Sequence, residues 1–152
     1  MKRNLTVVKG GLLALAMGAA VPALADEAAD AARKDIEATL GMMPSMLATM
    51  PDLALPGAWA EIKGLQLNPA SALDGKTKEL LGLAGASQIP CTYCIYFHTL
   101  AAKANGASEE EVREAVAMAA IVRHWSTMLN GMQVDQATFE AEINTLFAVA
   151  QN

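Results

Sequence analysis

Ile89-Pro90-Cys91-Thr92-Tyr93-Cys94-Ile95-Tyr96-Phe97-His98 decides how the rest of the chain is read. Proline interrupts the helical pattern before it and is well tolerated in the first turn of a new helix. The spacing therefore predicts a helix that opens at Pro90 and carries Cys91 through Ala104. At about 100° per residue, Cys91, Cys94 three places on and His98 four places further fall on one stripe, so the two thiols and the imidazole can act as one site. A first helical turn offers unpaired N–H groups and the positive end of the helix dipole. Both stabilise a thiolate, the reactive form of cysteine. By position alone Cys91, nearer the helix start, is nominated as nucleophile. His98 can exchange a proton near neutral pH and pair with a thiolate; its other reading is a core histidine satisfied by a carbonyl.

Outward from this helix the pattern remains helical. Downstream, Asn105-Gly106 offers a left-handed C-cap, and Ser108-Glu109-Glu110-Glu111 is a capping box that starts a helix with Val112, Ala115, Val116, Ala119 and Val122 on its apolar stripe. That helix ends at Asn130-Gly131. Asp135 then starts a last one with Phe139, Ile143, Leu146 and Phe147 on its apolar face. Upstream, Asp74 caps a helix that buries Leu80, Leu81, Leu83 and Ala84. Trp59, Ile62, Leu65 and Leu67 form a stripe on a short helix, and Asn68-Pro69 resembles an N-cap followed by a first helical proline. Pro44, Pro51, Pro56 and Gly57 chop residues 41–58 into turns or one-turn helices, and Asp26 to Leu40 is an Ala-rich helix closed by Gly41. No stretch alternates as a strand does. The expected fold is all-α, with about six helices.

The first 25 residues differ in kind. Lys2, Arg3 and Lys9 precede an apolar run from Gly10 to Leu24 that ends Ala23-Leu24-Ala25, the build of a cleavable secretory leader. The run is shorter than the ~20 apolar residues a spanning helix needs. The expected mature chain is residues 26–152, one helical domain delivered across the inner membrane and most simply periplasmic. The whole chain has 152 residues, 53% hydrophobic and 18% charged, within the range of a globular protein. The leader holds three of the 11 basic residues and none of the 16 acidic ones, leaving eight against sixteen, a net charge of −8. That balance excludes nucleic acid and an anionic membrane surface as natural partners of the mature form. Two cysteines three apart close too short a loop to staple a small secreted domain.

Other side chains near the motif are ambiguous. Glu79 on the helix before Pro90 faces the cysteines if the chain folds back there, and is otherwise an exposed salt-bridging glutamate. Tyr93, Tyr96 and Phe97 line an apolar pocket or are core, and Arg123, His124, Trp125 and Asn130 line the same cavity if the two helices pack antiparallel. Two cysteines with His98 and His124 offer zinc donors, but the second ligand pair that structural zinc sites use is missing. Met42, Met43, Met46 and Met50 invite copper and are read instead as core filler. Neither a metal nor a nucleotide cofactor is expected.

Lys78-Glu79, Cys91-Thr92-Tyr93-Cys94, His98 and Gly106-Ala107-Ser108-Glu109-Glu110-Glu111 together resemble the alkyl hydroperoxidase D-like branch of the carboxymuconolactone decarboxylase family, over roughly residues 60–131. The resemblance implies an all-α fold, assembly as a homo-oligomer (trimer or hexamer), and either hydroperoxide reduction or disulfide exchange with a partner. It implies Glu79 as the proton-relay base, Cys94 as the cysteine oxidised to sulfenic acid, Cys91 as the resolving cysteine and His98 as part of the relay. Tyr93 departs from the best-studied peroxidase members, which carry histidine between the cysteines, and this weakens the relay. Decarboxylation belongs to members without the cysteine pair and is not expected. The leading expectation is an exported thiol-dependent hydroperoxide reductase served by a thiol or dithiol electron donor. The alternatives are an extracytoplasmic disulfide oxidoreductase and a non-catalytic oligomeric binding domain.

Overall fold

Helix formers fill the stretches between glycine and proline breaks, and the result is helical throughout the described residues. The computed structural model describes residues 20–149. They form seven α-helices, one more than expected, and no strand: α1 Ala20–Leu40, α2 Ser45–Ala48, α3 Leu55–Glu61, α4 Gly75–Gln88, α5 Thr92–Ala104, α6 Glu109–Gly131 and α7 Gln136–Val149, with a π-helical segment Ile62–Gln66 after α3. Of the leader expected over residues 1–25, residues 1–19 lie outside the described residues, and residues 20–25 open α1 ahead of the expected start at Asp26. The chain divides into two compact units, one ending at Leu65 and the other starting at Gln66.

In the first unit, Ala29, Ala32 and Ile36 fall on one face of α1 and are buried. Leu47 of α2 and Leu55 and Trp59 of α3 complete that core with Ala32 and Ile36, with Met43, Met50 and Ile62 packed against it. The methionines divide accordingly: Met43 and Met50 fill the core, whereas Met42 and Met46 are exposed. The Trp59 indole N–H donates to Asp35 Oδ2 at 2.6 Å, and Lys63 Nζ reaches both Asp35 oxygens at 2.7 Å. Lys63 first, then Trp59, hold the Asp35 carboxyl below its usual range. The expected stripe from Trp59 to Leu67 breaks after Ile62. The π-helical segment has a wider turn than an α-helix, which carries Leu65 and Leu67 off the buried azimuth, and both are exposed.

In the second unit α4 packs against both α5 and α6, and the latter two touch each other less. Asp74 caps α4 as expected, accepting the Thr77 N–H at 2.7 Å. The buried face is Glu79, Leu83 and Ala86, with Leu80 and Ala84 half-buried. Leu81, expected inside, is exposed, because two residues from both Glu79 and Leu83 turn it about 200° away from them. Asn68-Pro69 starts no helix. The Asn68 side chain accepts the Ala70 N–H at 2.9 Å and its carbonyl accepts the Ser71 hydroxyl at 2.8 Å, closing a turn instead. Lys78 Nζ staples that turn to α4 through Asn68 O and Ser71 Oγ, at 2.9 and 2.8 Å.

The capping box of α6 forms in both directions: Ser108 Oγ accepts the Glu111 N–H at 3.1 Å and Glu111 Oε2 accepts the Ser108 N–H at 2.7 Å. Glu111 also accepts from Lys76 Nζ at 2.7 Å, tying α6 to α4. Of the expected α6 stripe, Ala119 is buried and Val112 and Ala115 are half-buried, while Val116 and Val122 are exposed. The α7 face is also largely open, with Ile143 half-buried and Phe139, Leu146 and Phe147 exposed. A single chain leaves this apolar surface in water.

Candidate redox site

The helix that carries the cysteines begins two residues later than expected. Its first residue is Thr92, and Cys91 is the N-cap, with an extended backbone at φ −85° and ψ 100°. The link from α4 is the reason. The Ile89 N–H bonds back to Gly85 O at 3.3 Å and the Cys91 N–H to Ala86 O at 3.1 Å, so residues 89–91 are stitched to the last turn of α4 before a new helix can start. The Cys91 carbonyl then accepts the Ile95 N–H at 2.9 Å. At the N-cap, where a serine or aspartate oxygen would usually accept, Cys91 Sγ accepts the Cys94 N–H at 3.2 Å. Cys91 and Cys94 are joined by a disulfide, and both are half-buried.

Arg123 of α6 braces the same link. Its Nε donates to Gln88 Oε1 and its Nη2 to Gln88 O, both at 2.7 Å, and Gln88 Nε2 donates to Ala119 O. Arg123 thus clamps the end of α4 instead of lining a cavity with its neighbours. His124 and Trp125 are exposed and stacked edge-on, and Asn130 bonds to Ser126 O of its own helix. Tyr93, Tyr96 and Phe97 are exposed too, Tyr93 at 87%, so of their two readings, pocket lining or core, the core one does not hold.

Glu79 is the inward-facing carboxylate of α4, only 4% exposed. The exposed salt-bridging alternative is overturned. Its Oε2 lies 2.6 Å from His98 Nδ1, and its Oε1 accepts from Gln66 Nε2 at 3.0 Å. One of the two groups donates in this contact, and the His98 ring has a second nitrogen, Nε2, beyond it. His98 follows Cys94 by one turn of α5, so an imidazole paired with a buried carboxylate stands on the helix that begins at the dithiol, and these are the groups that proton transfer to or from sulfur needs.

Two neighbours of this pair escape a sequence reading. Gly82 lies one turn along α4 from Glu79, and a Cβ there would come within 2.5 Å of His98 Cε1 and Nδ1 and 2.9 Å of Cγ. The imidazole can lie against α4 only because Gly82 has no side chain. A glycine inside a helical pattern was the available signal, since the cost in helix propensity usually has a packing reason. Gln66 gave no signal, standing 13 residues from Glu79 in a segment with no motif. Among the described residues, no three His, Cys, Asp or Glu side chains gather where they could hold a metal ion, and no helix is long and apolar enough to cross a membrane.

Comparison with known proteins bears on the family and the fold. The model of the carboxymuconolactone decarboxylase family matches residues 54–137. An uncharacterised protein encoded in the cox locus of Paracoccus denitrificans is 33% identical over 85 residues, which cover 53% of this chain and 77% of that protein. The crystal structure of the alkylhydroperoxidase AhpD core from Rhodospirillum rubrum matches with a TM-score of 0.64 at 24% identity, covering 85% of this chain and 98% of that one. The chain belongs to the carboxymuconolactone decarboxylase family and has the all-helical AhpD-like fold.

Proposed function

We propose that this protein is an exported thiol-dependent hydroperoxide reductase. The observation that carries the reading is the Glu79–His98 pair at 2.6 Å, buried on the carboxylate side, with its histidine one helical turn beyond Cys94. The Cys94 thiolate attacks the O–O bond of a hydroperoxide, giving a sulfenic acid and an alcohol whose proton comes through His98 and Glu79. The Cys91 thiolate then displaces hydroxide from that sulfur, which leaves as water, and the disulfide closes. An external dithiol returns two electrons and two protons and is itself oxidised. Cys91 suits the resolving role because its sulfur accepts the Cys94 N–H at the helix start, which favours its thiolate as nucleophile and as leaving group.

The basic-then-apolar start supports export, and the exposed apolar faces of α6 and α7 support assembly of several copies into a homo-oligomer. Two features favour a second reading as a disulfide oxidoreductase without peroxidase activity: Tyr93 stands where peroxidase members carry histidine, and an extracytoplasmic compartment oxidises accessible dithiols and supplies little reductant. Reacting the reduced mature protein with cumene hydroperoxide across pH separates the two. A peroxidase consumes the hydroperoxide faster than free cysteine does, with an inflection below the ~8.5 of a free thiol. Mass spectrometry then expects sulfenic acid on Cys94 in Cys91→Ser. Hydroperoxide consumption no faster than by free cysteine sinks the peroxidase, and sulfenic acid trapped on Cys91 in Cys94→Ser, with none on Cys94, reverses the cysteine roles.

A further inference from the structure

We propose that Gln66 is a positioning residue of the proton relay, holding the Glu79 carboxylate so that its second oxygen stays aimed at His98; this rests on the relay reading of Glu79 and His98. The Gln66 amide nitrogen lies 3.0 Å from Glu79 Oε1 and 3.4 Å from Oε2, so one amide reaches both carboxylate oxygens and is the partner of the oxygen that the imidazole leaves. A carboxylate with 4% exposure has little water to turn toward, and its orientation is set by these two donors. Remove the amide and the group can rotate about its last torsion, taking Oε2 away from Nδ1.

Two further features bring Gln66 to that point. It is the last residue of the π-helical segment Ile62–Gln66, whose wider turn places it at a different azimuth from an α-helical continuation. Such segments recur at functional sites. The chain immediately after it is stapled to α4 by Lys78 through Asn68 and Ser71, one residue from Glu79. Among neighbouring ionisable groups, His98 of α5 touches the carboxylate, whereas Lys76 of α4 is engaged by Glu111 of α6 and Lys78 by the stapled turn.

The test uses the mature chain with cumene hydroperoxide and dithiothreitol, comparing Gln66→Leu, Gln66→Glu and Glu79→Gln. Leucine removes the donor and is expected to lower kcat about tenfold or more while KM stays within about twofold, from the worth of a hydrogen bond to a charged group. Glutamate keeps the shape and sets a second carboxyl against the first. It is expected to be as impaired at pH 8 and to recover relative to the wild type as pH falls, because the introduced carboxyl donates once protonated. A purely structural role predicts a flat ratio across pH. Gln66→Leu within twofold of the wild type, alongside an inactive Glu79→Gln, overturns the positioning role and leaves the relay standing. A fully active Glu79→Gln overturns both. If the Gln66 variants do not fold, the Gln66 side-chain amide resonance decides: it must shift on Glu79→Gln, and an unmoved resonance overturns the proposal.

Discussion

Replacing Gly82 by alanine puts a methyl group where the His98 ring now lies. The new Cβ would sit 2.5 Å from two ring atoms, whereas carbon atoms in ordinary contact stay about 3.5–4.0 Å apart, so the ring must retreat by about 1 Å. A retreat of that size directed away from Glu79 opens the Nδ1 to Oε2 distance from 2.6 Å to at most about 3.6 Å, beyond hydrogen-bond range. A hydrogen bond to a charged group contributes about 1.5–3 kcal/mol, which corresponds to roughly 10- to 100-fold in a step that depends on it. Stability moves little. Alanine gains about 1 kcal/mol of helix propensity, and overpacking costs about 1–3 kcal/mol, so the variant folds with a net loss of no more than about 2 kcal/mol. Peroxide turnover and urea unfolding of Gly82→Ala, His98→Ala and the double variant form a cycle. In the His98→Ala background the clash is gone, so alanine at 82 should stabilise by about 1 kcal/mol and leave turnover unchanged. Wild-type turnover in Gly82→Ala, or the same destabilisation with and without the imidazole, would refute the reasoning.

Asp35, held low by Lys63 and Trp59, Asp74, held low by the Thr77 amide and hydroxyl, and Glu111, held low by Lys76 and the Ser108 amide, all have folded pKa values below their unfolded ones. Each contributes stability above its unfolded pKa and loses it as pH falls through the folded value. The melting temperature should therefore be level near neutrality and drop below about pH 4, less steeply in Asp35→Asn; an unchanged acid slope in that variant contradicts the assignment. Ser108→Ala removes one half of the capping box and should cost about 1 kcal/mol, a fall of roughly 3–5 °C in Tm by circular dichroism, with turnover at 25 °C intact. A loss of turnover there would mean that the α6 start supports the site directly.

What was legible followed from local rules. The caps at Asp74 and Ser108 and the end of α5 at Asn105 depend on residues within one turn, and they were read correctly. Leu81, Val116 and Val122 were misplaced because hydrophobicity marks a residue as able to be buried, while the axis of the neighbouring helix decides which are. Pro90 misled for a related reason. Proline's usual φ suits a helix start, but Pro90 takes φ 21° and the Cys91 N–H bonds to Ala86 O, so the helix starts at Thr92, and only the fold supplies that partner. Within the site, His98 was visible as a candidate through its spacing to the cysteines, and Glu79 through the possible fold-back at Pro90 and the family pattern. Gln66 was not, since its contact depends on a π-helical turn that no pattern in the chain announces.

The sulfur that caps α5 makes the start of that helix answer to the charge on Cys91. The Cys94 N–H is a fixed donor, and a sulfur carrying negative charge is a better acceptor than one bonded to another sulfur. In the proposed cycle, a Cys91 thiolate formed as the disulfide opens would accept the Cys94 N–H more strongly than the disulfide sulfur does. When the disulfide re-forms, the cap returns to the weaker neutral acceptor, while the Ile95 N–H still bonds the Cys91 carbonyl at 2.9 Å. In that cycle the cap of α5 would be stronger in the reduced form than in the oxidised one, so a single backbone N–H would favour the dithiol side of the exchange.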